Sequence, residues 1–289
     1  MGIIKPFQRE VLFGLYKFKI IIRRNIILNS PIKWIGGKKN LRKELVGMMP
    51  DHYQYVEVFA GALWVMLEKE PCKLEIINDI NGDLINFYKV IKDKKKCENL
   101  INDLYFLPKS REIFDNFDKV LEVKRESLSE IDRAVIFYYL LKLVYGGRFD
   151  RKKKSFCVSN DGRKQINYDK FPDEFIALHE RLKDVYIEKQ DYSYILNKYD
   201  REDALFFLDP PYLDTTEHNY GVNFGIKEFK KLKDILSQLK GKWILTCNNK
   251  IELFELFKAF NIKNTDVNYS ICNNDKGRKK YEELIITNY

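Results

Sequence analysis

Five apolar residues, Ala204 to Leu208, run without interruption into Asp209-Pro210-Pro211-Tyr212. A strand with no polar face has to be covered on both sides, which is the situation inside a sheet layered between helices. The two prolines that follow supply no backbone donors and stiffen the chain, so they end the strand in a fixed turn. The tetrad therefore stands at the carboxyl end of a sheet strand, where open α/β sheets bind their ligands.

The rest of the chain supplies helices and further strands in alternation. The pattern predicts a strand over Tyr53 to Phe59, a helix over Ala62 to Lys69, a buried strand over Lys73 to Asn78 and a helix from Leu84 to Lys92. Strand signals resume at Val185 to Glu188, Lys242 to Thr246 and Glu283 to Thr287, with helices at 227–239 and 250–259. Residues 97–146 read as helical, with an apolar run from Ile131 to Val144 and no strand partner. A glycine-hinged basic turn, Tyr145 to Lys154, comes next. The Asn160-Asp161-Gly162 step then predicts a hairpin between Phe156–Val158 and Gln165–Tyr168. The expected fold class is α/β, a doubly wound sheet split by a mostly helical insertion. Residues 1–30 are expected to form an N-terminal extension ended by the Ser30-Pro31 break, 31–95 and 185–289 the principal, sheet-bearing domain, and 96–184 the insertion.

A length of 289 residues suits one principal domain with an insertion better than two autonomous domains, and 45% hydrophobic content excludes global disorder. The net charge of +9 fits a protein that meets a polyanion, although charge by itself does not establish nucleic-acid binding. Five scattered cysteines without a Cys-x-x-Cys pair, and only three histidines, read as reduced thiols with no metal site. Arg23 and Arg24 interrupt the apolar residues Ile20 to Leu28, so no membrane span or export signal is expected and the location is taken as cytoplasmic.

In the tetrad, the Asp209 carboxylate and the Pro210 carbonyl can converge as acceptors, which suits an exocyclic amine. Such an amine is a poor nucleophile because its lone pair is delocalised into the ring, and two acceptors on its hydrogens favour pyramidal geometry and build charge at nitrogen. Tyr212 offers an aromatic face for a base taken out of its stack. The competing reading is a structural turn with a buried tyrosine. Upstream, Glu57-Val58-Phe59-Ala60-Gly61 is a strand feeding a glycine turn that opens a helix, a shape suited to a nucleotide-like cofactor without phosphates. A plain strand-to-helix connection fits it equally well. Asp79 ends the next strand about twenty residues on, the spacing at which an acid reaches a ribose, and it or Asn81 equally suits a helix cap. Lys33-Trp34-Ile35-Gly36-Gly37-Lys38 combines an indole, two glycines and lysines placed to close over a cofactor and meet its carboxylate.

These four elements in this order resemble the Dam-type, or D12, DNA adenine methylases over residues 31–289. Trp34 and Lys38 match the family's leading cofactor motif, Glu57 to Gly61 its glycine motif, Asp79 its ribose-side acid and Asp209 to Tyr212 its catalytic tetrad. The resemblance implies a Rossmann-like seven-stranded methyltransferase sheet with an inserted target-recognition region. It also implies methyl transfer from S-adenosylmethionine, without a metal, to N6 of a flipped-out adenine in double-stranded DNA. Asp209, Pro210 and Tyr212 would carry the chemistry, and Trp34, Lys38, Glu57, Phe59, Gly61, Asp79 and Asp209 would hold the cofactor. Arg133 to Phe149 resembles the segment that introduces DNA contacts; Arg148, Arg151, Lys153 and Arg278 are the candidate DNA contacts. Tyr145 to Asp150 stands where GATC-methylating members usually carry an Asn-Gly-x-x-Arg-type turn, and Ala62-Leu63-Trp64 where small residues are common. A monomer, with a cognate restriction endonuclease as partner, completes the expectation. The runners-up are the same fold acting on cytosine N4 or RNA adenine, and an inactive DNA-binding relative.

Overall fold

The structure is a computed structural model and describes residues 28–34, 36–144, 149, 154–158, 164–213, 224–268 and 280–289, with backbone alone at 266–268, 280 and 281. The elements run in chain order as α1 (Arg42–Gly47), β1 (Gln54–Glu57), α2 (Trp64–Glu68), β2 (Leu74–Asn78), α3 (Gly82–Lys92), α4 (Lys94–Tyr105), α5 (Arg111–Lys124) and α6 (Glu130–Leu143). They continue as α7 (Phe171–Leu182), β3 (Tyr186–Glu188), α8 (Tyr192–Lys198), β4 (Ala204–Leu208), α9 (Ile226–Leu236), β5 (Lys242–Asn248), α10 (Ile251–Phe257), β6 (Asn261–Asn268) and β7 (Lys280–Thr287).

The strands form one seven-stranded sheet in the order β3-β2-β1-β4-β5-β7-β6. Strands β1 to β5 pair in parallel, with Val56 between Ile76 and Phe206. Only β7 runs antiparallel, slotted between β5 and β6. Every residue of β1 and β4 is buried, as strands covered on both faces require. The period-two alternation of side chains divides the core. Tyr55, Ile77, Leu205, Phe207, Ile244 and Ile285 face helices α1 to α7. Val56, Ile76, Phe206, Leu208, Trp243 and Ile286 face α8, α9 and α10.

Helices α4 to α7 pack with α1 to α3 in one buried cluster. Phe87 of α3 stacks on Tyr138 of α6 at 5.9 Å and meets Phe175 of α7 edge-on at 5.5 Å. Arg181 of α7 forks onto the Glu75 carboxylate of β2, which also holds Lys69 at 2.6 Å. Local capping fixes the helix starts: Asn81 accepts from Asp83 and Leu84 N–H, and Ser129 from Asp132 N–H. Residues 134–141 of α6 are buried, so this part of the Arg133–Phe149 segment is core.

The expected hairpin is corrected. Phe156 bridges Val144 in antiparallel fashion, and Gln165 to Tyr168 form no strand. The Gln165 side-chain amide donates to the Cys157 carbonyl at 2.8 Å and replaces a ladder bond; the Asn160-Asp161-Gly162 step lies outside the described residues. No helix among the described residues is long and apolar enough to cross a membrane.

Candidate active site

The carboxyl ends of β1, β2, β3 and β4 open into one cavity of about 350 Å³, the position expected for ligands in an open α/β sheet. Trp34, Lys38, Glu57, Phe59, Gly61, Asp79, Asp209 and Pro210 all line it. Residues separated by more than 170 positions in sequence are thus gathered at one sheet edge.

Asp209 leaves the end of β4 and its carboxylate is fixed from two sides. Lys38 Nζ lies 2.6 Å from Oδ1, and Thr246 Oγ1 of β5 donates to the same oxygen at 2.9 Å. Burial pushes the Asp209 carboxyl above the ordinary aspartate range; the Lys38 cation and the hydrogen bonds from Lys38 and Thr246 oppose that push. Lys38 is itself buried, donates to the Gly36 carbonyl at 2.9 Å, lies 3.9 Å from Glu283 of β7 and sits 4.8 Å from the centre of the Tyr212 ring. Sequence reading placed this lysine against a cofactor carboxylate; the structure places it on Asp209. The exit from the tetrad is clamped by Asn248, which accepts from Leu213 N–H at 3.1 Å and donates to the Leu213 carbonyl at 3.0 Å.

The glycine turn is held from several directions. Gly61 adopts φ +46°, a conformation that L side chains rarely take. Its N–H donates to Asp79 Oδ2 at 3.1 Å and its carbonyl accepts from Tyr88 at 2.5 Å. Asp79 Oδ1 accepts from Asn81 N–H at 2.9 Å, so the acid shapes the turn as well as lining the cavity. Burial raises its pKa and the backbone donors of Asn81, Gly61 and Ile80 counteract it. The helix cap is Asn81.

Glu57 closes the cavity floor at the end of β1. Its Oε2 accepts from Tyr55 Oη at 2.8 Å and from Met66 N–H at 3.1 Å. Desolvation dominates and pushes the Glu57 carboxyl up to about 8, so it is largely protonated at neutral pH. Phe59 forms an apolar wall, its ring centre 5.8 Å from both Tyr192 and Phe224.

Sequence reading missed Asp191, Tyr192, Phe224, Glu228 and Lys231, which complete the cavity wall. Asp191 had a usable signal: it caps α8 directly after β3, at the same sheet edge. Tyr192 donates to Glu228 Oε2 of α9 at 2.8 Å, a pairing with no sequence signature. The candidate DNA contacts Arg148, Arg151, Lys153 and Arg278 lie outside the described residues. Among the described residues no group of three His, Cys, Asp or Glu side chains could hold a metal ion.

The family described as D12 class N6 adenine-specific DNA methyltransferase matches residues 34–271, a span that contains the leading motif, the glycine turn, Asp79 and the tetrad. The chain is 28% identical to the type II methyltransferase M1.LlaDCHI of Lactococcus lactis subsp. cremoris, over 93% of this chain and 99% of the relative. It is 27% identical to the type II methyltransferase M.MjaIII of Methanocaldococcus jannaschii, over 89% and 98%. A DNA adenine methylase of Vibrio cholerae is 26% identical over 88% and 94%. With the sheet and a cavity lined by Asp209, Pro210 and Pro211 of the tetrad, these matches make the chain a member of the D12 class of N6 adenine-specific DNA methyltransferases.

Proposed function

We propose that the cavity holds S-adenosylmethionine and that Asp209 and the Pro210 carbonyl receive the N6 amino group of an adenine turned out of double-stranded DNA. The observation that carries this reading is the convergence of Asp209, Lys38 and Thr246 at the mouth of a cavity shaped by Gly61 and Asp79. The cavity fits the cofactor in size and chemistry. An apolar wall of Phe59, Tyr192 and Phe224 suits an adenine ring, Asp79 a ribose, and Asp191 an ammonium, while Glu57, largely protonated, lines the cavity as a neutral polar group. When bound, S-adenosylmethionine supplies an electrophilic sulfonium methyl group.

The protein's own contribution is orientation and charge. Lys38 and Thr246 hold one Asp209 oxygen, which leaves the other to accept an N6–H. The rigid Pro210-Pro211 step presents a carbonyl as second acceptor. Preorganised acceptors of this kind stabilise the charge that develops on nitrogen. Tyr212 stacks on the displaced base, whose extrusion costs a few kcal/mol. The amine proton leaves through Asp209, whose raised pKa suits it to take a proton.

The insertion 96–184 reads as the target-recognition region, with Arg148, Arg151 and Lys153 as its contacts to phosphate or base, and Arg278 of the catalytic domain as a further contact. The chain acts as a monomer, and the type II methyltransferase names of two relatives support a cognate restriction endonuclease as partner.

Replacing Asp209 by Ala tests the assignment. Transfer of labelled methyl groups to DNA is expected to fall by at least about a hundredfold while calorimetric titration still detects S-adenosylmethionine. Retained turnover in this variant would refute the role of Asp209.

A further inference from the structure

Two loops frame the cavity, and each contributes one glycine and one tryptophan. The leading loop carries Trp34 and Gly37; the glycine turn and the start of α2 carry Gly61 and Trp64. A Cβ added to Gly61 would lie 3.1 Å from Trp34 Cδ1, and one added to Gly37 would lie 2.9 Å from Trp64 Nε1 and 3.0 Å from its Cδ1. Each indole therefore rests on the glycine of the opposite loop: at Gly37 the space for a Cβ is closed, and at Gly61 it is tight and the backbone conformation, φ +46°, is itself unfavourable for a side chain.

Trp64 is held in turn by cations that enter from the start of α1. Lys39 Nζ lies 5.6 Å from its ring centre and the Arg42 guanidinium 5.1 Å; Arg42 is anchored by an ion pair of 2.7 Å to Glu68 of α2. Cation–π contacts of this kind fix a ring that is otherwise half exposed. Gly37 is the residue immediately before Lys38, whose ammonium pairs with Asp209. The contact between Trp64 and Gly37 thus sets the path of the backbone that delivers Lys38.

We propose that Trp64 is a positioning residue: its indole, seated on Gly37, locks the leading loop over the cavity and thereby fixes both Trp34 on the glycine turn and Lys38 on Asp209. This inference rests on reading the cavity as the S-adenosylmethionine site. Trp64 also lines the cavity but touches no reacting atom in this account; its positioning role runs through Gly37, and the comparison of Gly37→Ala with the double variant separates that role from a direct contact with the cofactor. A misplacement of about 1 Å in such a loop weakens binding and rate through geometry alone.

The test is S-adenosylmethionine titration of wild type, Trp64→Leu, Gly37→Ala and the double variant, at a temperature where circular dichroism shows all four folded. Gly37→Ala drives a methyl group into the indole and is expected to raise Kd by at least about tenfold. Removing the indole makes room, so the double variant binds more tightly than Gly37→Ala alone, with part of the loss remaining because the added Cβ also lies 3.2 Å from the Trp34 carbonyl. Trp64→Leu alone raises Kd, with a smaller change in kcat at saturating cofactor. If Gly37→Ala does not fold, Trp64→Phe and Trp64→Leu carry the test by a graded loss of affinity with ring size. Equal Kd for wild type and the Trp64 variants overturns the inference, as does a double variant no better than Gly37→Ala. Failure of the wild type to bind S-adenosylmethionine overturns the cofactor reading instead.

Discussion

Asp209 is held by Lys38, which lies 171 positions earlier, and by Thr246, which lies 37 later. Spacing along the chain carries no trace of such a pairing, which explains why Lys38 and Asp209 were each legible as site residues while the ion pair between them was not. The consequence is a pH dependence with a defined sign. Burial holds the Asp209 pKa above the ordinary value, so kcat/KM is expected to fall as pH drops through a value above the usual aspartate range. Lys38 opposes that shift, and Lys38→Met is expected to move this acidic limb to higher pH as well as lower the rate. An acidic limb at the same pH in both proteins would show that Lys38 does not act on Asp209. Glu57 makes a separate prediction on stability. Its folded pKa, about 8, lies above the unfolded value, so the native state holds a proton that the unfolded state releases, and stability is lost as pH rises from 4.5 towards 8. Glu57→Gln mimics the protonated carboxyl and is expected to flatten that fall by about 1.4 kcal/mol per pH unit, measured by urea unfolding at several pH values; an unchanged slope would contradict the buried proton.

At the scale of elements, legibility followed burial. The β4 run, the α6 run and the strands β1 and β2 were readable because apolar periodicity reports what must be covered. Strand β6, Asn261–Asn268, was missed because an outer strand of mixed polarity carries no such pattern; its place is dictated by the register with β7, where Ile262 opposes Ile286. The hairpin failed for the opposite reason: a strong turn step was read as a ladder, whereas Phe156 found its partner in Val144 at the end of α6. The join between insertion and sheet was equally hidden. Arg181 of α7 ends in contact with Glu75 of β2, both largely buried and accompanied by Lys69. Removing one member of such a cluster leaves charge buried without its partner, so Arg181→Met is expected to cost about 3 kcal/mol in chemical unfolding. Cofactor affinity at temperatures where the variant is folded should be preserved, because Arg181 lies outside the cavity lining; a loss of affinity without a loss of stability would argue that α7 acts on the site directly.

For the whole molecule, the sheet order β3-β2-β1-β4-β5-β7-β6 explains why a site made of distant segments can be rigid. Parallel strands β1, β2 and β4 deliver Glu57, Asp79 and Asp209 to one edge, and β5 and β7 place Thr246 and Glu283 beneath them. Helices α4 to α7 pack on the same side of the sheet as α3 and share its core. The net charge of +9 accords with a DNA substrate but does not define which base is modified. The most direct test of the account is nucleoside mass spectrometry of DNA and RNA, each incubated with the protein and S-adenosylmethionine and then digested. The account predicts N6-methyladenine in the DNA digest; N4-methylcytosine there, or methylated adenine confined to RNA, would contradict it.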